Sequence, residues 1–219
     1  MVQILHYNDY TYMRITGIKA RPETAKQLYP YQEEYIKRIF QHLEENERRE
    51  NIIFQLPTGG GKTVIFSEIA RKYIEQNQKK ILILTHRIEL LKQTANAIEE
   101  AGIHCKLITS EVDDIPDQEE FLCFLAMVET LNNRLKEDEE YLQDIDFVIV
   151  DEAHGTKAEV IRKLINDNGG HIVYRFGVTG TFPKPVVDQY ALKTSIGRII
   201  KEITARWLID NGYLSEVEI

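Results

Sequence analysis

The hydrophobic positions of this chain form short apolar runs that alternate with longer stretches of helical periodicity. The apolar runs, which predict buried strands, occupy residues 52–54, 79–85, 103–109, 121–127, 146–154 and 171–181. The helical stretches begin at Pro30, Lys62, His86 and Ala158, and a further short one runs through Arg134. Short buried strands that alternate with helices predict an α/β domain with a mostly parallel sheet and helices on both faces.

The stretch NIIFQLPTGGGKTVIFSEIA, residues 51–70, places a glycine-rich turn between a predicted strand and a predicted helix. Such a turn points successive backbone N–H groups inward, and the helix N-terminus adds partial positive charge, so that it suits a phosphate group. We expect Lys62 to reach the terminal phosphates and the Thr63 hydroxyl to ligate Mg²⁺. The usual pattern has glycine where this chain has Leu56, and a glycine hairpin that binds nothing is the alternative. Lys-Thr directly after three glycines favours a nucleoside triphosphate.

Polar groups follow several of the predicted strands, and the carboxyl ends of parallel strands meet at one edge of a sheet. The segments concerned are 57–63, 85–87, 151–154 and 179–181. Asp151 is predicted to hold Mg²⁺ through water, and Glu152 to orient and deprotonate an attacking water. An acidic helix N-terminus, which the helix dipole favours, is the alternative for this pair.

Composition and charge narrow the class of protein further. The 219 residues suit one large α/β domain. The net charge of −8 argues against a polyanion partner for the surface as a whole, but it does not exclude a locally basic part of that surface. The acidic residues concentrate in 111–120 and 136–146, which leaves other surfaces free to be basic. No apolar stretch is long enough to span a bilayer, and the N-terminus lacks a signal-peptide layout. Cys105 and Cys123 lie in β-rich stretches and are expected to be reduced core thiols, and the scattered histidines argue against a zinc site.

Three segments, in this order, resemble motifs I, II and III of the superfamily 2 helicases and translocases. They are PTGGGKT (57–63), DEAH (151–154) and TGT (179–181), and in that family leucine is accepted at position 56. The resemblance covers roughly residues 28–219. It implies a RecA-like P-loop NTPase domain that uses ATP and Mg²⁺ to move on or remodel nucleic acid in the cytoplasm, or in a host cytoplasm if phage-encoded. It favours DNA over RNA, because the loop and the tail are similar to those of phage recombination helicases and DNA-repair helicases.

The resemblance also implies a role for each matching residue. Catalysis would fall to Lys62, Asp151 and Glu152, and Mg²⁺ binding to Thr63 and Asp151. The residues that would bind ATP are Gln32, Pro57, Thr58, Gly59, Gly60, Gly61, Lys62 and Thr63. The residues that would couple hydrolysis to movement are His154, Thr179, Gly180 and Thr181.

Two further segments resemble parts of the family that touch the nucleic-acid backbone. LTHRIELLKQT (84–94) supplies Arg87 and Gln93, and AMVETL (126–131) supplies Thr130. For Gln93 and Thr130, ordinary surface positions are the alternative. Gln32 lies in LYPYQ (28–32), which is similar to the family's adenine-recognition element. Tyr29 replaces the usual arginine there, which puts cation stacking on the base in question, and Met127 replaces a common threonine, which weakens one backbone contact.

The resemblance divides the chain into three predicted parts. Residues 1–27 form an N-terminal extension, with two short strands that suggest a β-hairpin. Residues 28–208 form the RecA-like ATP-binding domain, and residues 209–219 start a linker. Family members carry a second RecA-like domain that supplies an arginine to the ATPase site, and the sequence is expected to lack that domain. The chain alone is therefore expected to bind ATP weakly and to hydrolyse hardly any of it.

Two other functions stay open on the sequence alone. One is the motor subunit of a restriction system, in which ATP drives translocation without strand separation. The other is a nucleotide-regulated nucleic-acid-binding module without turnover. The motifs quoted above are shared by the helicase and the restriction motor, so they do not separate these two readings.

Overall fold

The computed structural model of the chain describes residues 18–19, 27–45, 51–110, 121–137, 141–142, 144–153, 172–182, 184–200 and 203–215. Within these ranges a seven-stranded sheet forms the centre of the molecule, and six helices are defined. The predicted helix that starts at Ala158 and the predicted hairpin within residues 1–27 lie almost wholly outside the described residues. Of the hairpin region, Ile18 forms an antiparallel bridge with Ile103.

The strands and helices alternate along the chain as the hydrophobic pattern predicts. The strands are β1 (Ile52–Gln55), β2 (Lys80–Thr85), β3 (Cys105–Ile108), β4 (Cys123–Met127), β5 (Ile145–Asp151), β6 (Tyr174–Thr179) and β7 (Arg198–Ile200). The helices are α1 (Pro30–Glu45), α2 (Lys62–Asn77), α3 (Ile88–Glu100), α4 (Val128–Glu137), α5 (Val186–Ser195) and α6 (Ala205–Asp210). The sequence pattern did not predict α5, β7 or α6.

All seven strands run parallel, in the order β3-β4-β2-β5-β6-β1-β7. The sheet is therefore fully parallel, where the sequence predicted a mostly parallel one. Strand β1 lies between β6 and β7, and Ile52 pairs in register with both Phe176 and Arg198. The carboxyl ends of β1, β5 and β6 are thus brought side by side, which is where open parallel sheets build their sites.

Two apolar layers cover the two faces of the sheet, which confirms the predicted helix arrangement. On one face, Phe54 packs with apolar side chains of α1, α2, α3 and α6, such as Ile36, Ile69 and Leu208. On the other face, Ile53 packs with side chains of α4 and α5, such as Leu131. Successive residues of a strand point to opposite faces, so a strand covered on both faces must be apolar at every position. This explains why Ile52 to Phe54 of β1 form a continuous apolar run.

Candidate nucleotide-binding site

The glycine loop between β1 and α2 has the backbone conformation that its sequence requires. Gly59 and Gly61 have φ angles of 83° and 80°, in the left-handed region that favours glycine, and Gly61 caps α2 directly before Lys62. Leu56 is fully buried, and its Cγ lies 2.8 Å from where a Cβ on Gly60 would stand. Leucine at position 56 is therefore a core residue beneath the loop, and it fits against position 60 only because that residue has no side chain.

Helix α1 also holds the loop. The Tyr31 hydroxyl donates a 2.7 Å hydrogen bond to the Gly60 carbonyl. The side chain of Gln32 is buried, accepts a 2.9 Å hydrogen bond from the Tyr29 N–H, and lies against Gly61. A Cβ at position 61 would stand 2.3 Å from Gln32 Nε2, so a side chain there would displace the Gln32 amide. Gln32 thus touches the loop, while its role in reading adenine stays a prediction.

Two carboxylates end β5 beside the loop. Asp151 is 6 % exposed, and its Oδ1 accepts a 2.9 Å hydrogen bond from the Glu152 N–H. Burial, and to a lesser extent the Glu152 charge, raise the pKa of Asp151 to about 6. The Lys62 charge and the hydrogen bond from the Glu152 N–H partly offset this increase by lowering the pKa. Glu152 has a φ of 50°, a left-handed conformation that is uncommon for a residue with a side chain. This turn aims Glu152 away from the strand direction and towards the loop.

Lys62, the first residue of α2, forms an ion pair with Glu152, and Gly180 lies in contact with both side chains. The Lys62 side chain is 13 % exposed and that of Glu152 is 28 % exposed. The Gly180 N–H lies 3.4 Å from Glu152 Oε2, and a Cβ on Gly180 would stand 2.9 Å from Lys62 Nζ. A larger residue at position 180 would therefore displace the Lys62 ammonium. Three segments that are far apart in sequence meet at this one point.

The remaining predicted residues of the site lie around this centre. Thr179 is fully buried and its hydroxyl donates to the Thr181 carbonyl at 2.8 Å. Thr63 lies in the first turn of α2, and Pro57 and Thr58 form the outer side of the loop. Thr58 Oγ1 lies 3.5 Å from the position of a Cβ on Gly180, so this hydroxyl borders the same space. His154 lies outside the described residues.

The predicted nucleic-acid residues lie at the same edge of the sheet but further along it. Arg87 is exposed and stands at the N-cap of α3, directly after β2. Thr130 is half-buried in the first turn of α4, directly after β4, which neighbours β2. Gln93 is exposed in the second turn of α3. Their side-by-side placement follows from the parallel strands, while their contact with nucleic acid stays a prediction.

Sequence reasoning missed an aromatic cluster that forms beside the loop. Tyr29, Tyr31, Trp207 and Tyr213 form one aromatic cluster, in which the ring centroids of Tyr31 and Tyr213 are 4.6 Å apart. The sequence carried one signal for it, because the aromatic residues Trp207 and Tyr213 lie close to the apolar residue Leu208 in the tail. Residues 211–214 form a turn, and Tyr213 packs against the domain core. The predicted linker that starts at residue 209 therefore begins within residues that contact the domain.

Among the described residues, no group of three or more His, Cys, Asp or Glu side chains forms a metal-binding cluster. A carboxylate such as Asp151 and a hydroxyl such as Thr63 are nevertheless the oxygen donors that Mg²⁺ uses when phosphates supply other ligands. Within the same part of the chain, no helix combines the length and apolar character needed to cross a membrane.

A fully parallel sheet with a strand–glycine loop–helix unit, and carboxylates on a neighbouring strand, defines the class of RecA-like P-loop NTPase domains. The chain belongs to the family described as "Type III restriction enzyme, res subunit", whose profile matches residues 25–184. This family contains helicases, and the match confirms that the chain is a helicase-family domain.

Three comparisons illustrate this relationship. The chain is 24 % identical over 176 residues to the ATP-dependent DNA helicase uvsW of Enterobacteria phage T4, covering 80 % of this chain and 34 % of that protein. The crystal structure of the UvsW helicase from bacteriophage T4 matches with a TM-score of 0.64 and 19 % identity, over 90 % of this chain and 67 % of that one. The Type ISP restriction-modification enzyme LlaGI, in complex with a DNA substrate mimic, matches with a TM-score of 0.67 and 18 % identity, over 86 % of this chain and 21 % of that one.

The two solved structures establish the shared fold. The chain spans only 30–34 % of the length of three curated relatives that it matches. These matches therefore establish a shared domain and not the activity of a whole protein.

Proposed function

We propose that this chain is the ATP-binding motor domain of a DNA helicase or translocase, which couples ATP hydrolysis to movement on, or remodelling of, DNA. The observation that carries the proposal is the meeting of Lys62, Glu152 and Gly180 at the carboxyl edge of the sheet. A cation, a carboxylate and a backbone N–H at the mouth of a glycine loop are the groups that phosphoryl transfer from ATP requires.

The glycine loop and α2 would bind the triphosphate. The loop N–H groups and the N-terminus of α2 attract negative charge, and Lys62 adds a full positive charge at the same end of the helix. A phosphate that binds Lys62 competes directly with Glu152, which pairs with this lysine in the structure. ATP binding is therefore expected to free Glu152 for a second task.

That second task is to act on the attacking water. A glutamate released from Lys62 would orient a water molecule and accept its proton, and the turn at Glu152 keeps its carboxylate beside the loop. Asp151 and Thr63 would hold Mg²⁺, because a carboxylate and a hydroxyl beside the loop are oxygen donors of the kind that this ion prefers. When bound, Mg²⁺ would neutralise charge that develops on the β- and γ-phosphates.

The nucleic-acid surface would be the carboxyl edge next to the ATP site. Arg87 at the N-cap of α3 offers a guanidinium and nearby backbone N–H groups to one phosphate, and Gln93 and Thr130 would add neutral donors. Contacts of this kind fix position and carry no base information. The preference for DNA over RNA is supported by the names of the relatives that contact or act on DNA.

A second RecA-like domain would complete the ATPase site. An arginine against the transferred phosphate typically accelerates hydrolysis by about 10³- to 10⁵-fold. After Thr181 the chain has only Arg198 and Arg206. Arg198 is in register with Ile52 at the start of β1, which is the opposite edge of the sheet from the loop. Arg206 is exposed and pairs with Asp210 at 2.9 Å.

A translocating motor of a restriction system is the second candidate. The family description and the match to LlaGI favour it, since both refer to restriction enzymes. The ATP site would work in the same way in both cases, and the difference lies in whether the parent protein separates strands.

The test compares this chain with the chain joined to a second RecA-like domain from the same parent protein. We expect the chain alone to bind ATP in calorimetry but to hydrolyse it at a rate near background. The two-domain protein should show hydrolysis that double-stranded or single-stranded DNA stimulates, with a weaker response to RNA of the same sequence. Robust nucleic-acid-stimulated turnover by the monomeric chain alone would contradict the two-domain motor. A strand-displacement assay then separates the helicase from the restriction motor.

A further inference from the structure

We infer that the C-terminal segment, residues 205–214, is a positioning element of the glycine loop, with Leu214 as its main contact and Trp207 as its natural reporter. The inference rests on the proposed ATP site and names residues that set the affinity of that site. It concerns how the loop is held in shape, which the catalytic residues themselves do not determine.

The segment touches the loop directly at two glycines. Leu214 Cδ2 lies 2.8 Å from the position of a Cβ on Gly59, and Leu208 Cδ1 lies 3.1 Å from that of Gly60. Both leucines therefore occupy space that a side chain on the loop would fill. Gly59 has a left-handed backbone conformation that costs little for glycine but is one of many open to it. A leucine packed against such a residue restricts the loop to one of those conformations.

The segment is itself folded into a compact turn. The N–H groups of Tyr213 and Leu214 both donate to the Leu208 carbonyl, at 2.8 and 3.2 Å. This brings the chain back over the end of α6, so that Leu208 and Leu214 reach the loop together. At the other end of α6, the Trp207 N–H donates to the Thr204 hydroxyl at 3.1 Å. The contact surface is thus preformed by short-range hydrogen bonds.

The aromatic cluster links the same segment to the loop by a second route. Trp207 stacks on Tyr213 with ring centroids 5.9 Å apart, and it packs edge-to-face with Tyr31, again with ring centroids 5.9 Å apart. The Tyr31 hydroxyl in turn donates to the Gly60 carbonyl. A change in the position of Gly60 that moves Tyr31 through this hydrogen bond therefore alters the surroundings of the indole ring.

Trp207 makes this link measurable because it is the only tryptophan of the chain. The residue is 40 % exposed, so its emission responds both to solvent and to the two tyrosine rings. No label is needed, and no other indole contributes to the signal. Binding of a nucleotide at the loop is expected to shift or quench this emission.

The experiment titrates the full 219-residue chain with a non-hydrolysable ATP analogue and Mg²⁺, followed by calorimetry and by Trp207 emission. The variants are Leu214→Ala, Leu214→Met and, as a matched control, Leu122→Ala. Leu122 is also a partly buried leucine packed on the same core, but it lies beside the amino end of β4, far from the loop. Thermal melting of each variant measures any general loss of stability.

We expect about tenfold weaker analogue binding for Leu214→Ala, since a loop that is no longer preorganised must be ordered on binding. Leu214→Met should restore most of the affinity, and Leu122→Ala should bind like the unaltered chain even if it melts earlier. Equal binding by Leu214→Ala and the unaltered chain would overturn the inference. If Leu214→Ala does not fold, the unaltered chain provides the test. Binding of the analogue in calorimetry without any change in Trp207 emission would also overturn the inference. Failure of the unaltered chain to bind the analogue at all would instead refute the proposed ATP site.

Discussion

Lys62 and Glu152, which lie 90 residues apart in the chain, form an ion pair at the mouth of the glycine loop. Each of them has a proposed partner other than the one it contacts: a phosphate for the lysine and a water molecule for the glutamate. Because one contact occupies both groups, a single event, the arrival of a phosphate, would release the base and engage the cation. Two variants test the two halves of this relationship.

The first variant is Lys62→Ala, for which we expect ATP binding to fall below detection. A hydrogen bond to a charged group contributes roughly 1.5–3 kcal/mol, and this variant also removes the cation that offsets the Glu152 charge next to the incoming phosphates. Isothermal titration calorimetry with ATP and Mg²⁺ measures the effect. Lys80→Ala is the control, because Lys80 pairs with Asp144 at 3.1 Å at the start of β2, at the other end of the sheet. Retained affinity in Lys62→Ala would show that the loop does not bind phosphate.

The second variant is Glu152→Gln, for which we expect nucleotide binding at least as tight as before. The glutamine no longer competes as an anion for Lys62, whereas it cannot accept a proton from water. Turnover in a protein that contains the second domain should fall by about 10²- to 10⁴-fold, the usual contribution of a general base. Glu75→Gln serves as the control, since Glu75 pairs with Arg71 at 2.9 Å near the end of α2, far from Lys62 at the start of that helix. Normal turnover in Glu152→Gln would assign the base to another residue.

Arg87→Ala tests the nucleic-acid surface. We expect weaker binding to all DNA sequences alike, and a salt dependence whose slope falls by about one, because one phosphate contact is lost. Binding measured by fluorescence anisotropy at several salt concentrations gives both values. Arg38→Ala provides the comparison, as Arg38 is exposed and pairs with Glu34 on α1. If the loss in Arg87→Ala depended on sequence, the arginine would be reading bases.

The two thiols should be slow to react in the folded protein. Burial raises the pKa of Cys105 to about 12, and full burial also raises the pKa of Cys123, its register partner on β4. The thiolate is the reactive form, so alkylation by iodoacetamide at pH 8 should be much slower than in denaturant. The same shifts lower stability at high pH: the unfolded chain releases these protons from about pH 9, so the free energy of unfolding falls as the pH rises towards about 12. Rapid alkylation without denaturant would contradict the buried placement.

Much of the fold followed from the hydrophobic pattern, and the exceptions have a physical cause. The central strands are buried on both faces, so each one is a continuous apolar run such as Ile81 to Leu84. Strand β7 has only three residues at the sheet edge, and it is partly exposed. Helix α5 exposes Val186, Val187 and Tyr190, so its apolar residues do not mark a buried stripe. Neither element has the pattern that sequence analysis detects.

In the site, the placement of the charged residues was predictable from the sequence, whereas the packing of the tail against the loop was not. Lys62 and Glu152 each follow a strand, and parallel strands end at one edge, so their approach followed from topology and from the motif resemblance. The contacts of Leu208 and Leu214 with the loop follow no periodic pattern, because they depend on how a short turn packs against residues about 150 positions earlier. Such packing is specified by shape, which a one-dimensional pattern does not encode.

The position of β1 between β6 and β7 has a consequence for the synthesis of the protein. Its register partners, such as Phe176 and Arg198, leave the ribosome long after Ile52, and Leu214 later still. Pairing between such distant segments is slow and cannot begin before both are available. A nascent chain stalled near residue 150 therefore contains the complete glycine loop sequence but has no sheet neighbour for β1. Nucleotide should therefore protect only those nascent chains from protease that are long enough for the last of these segments to have emerged.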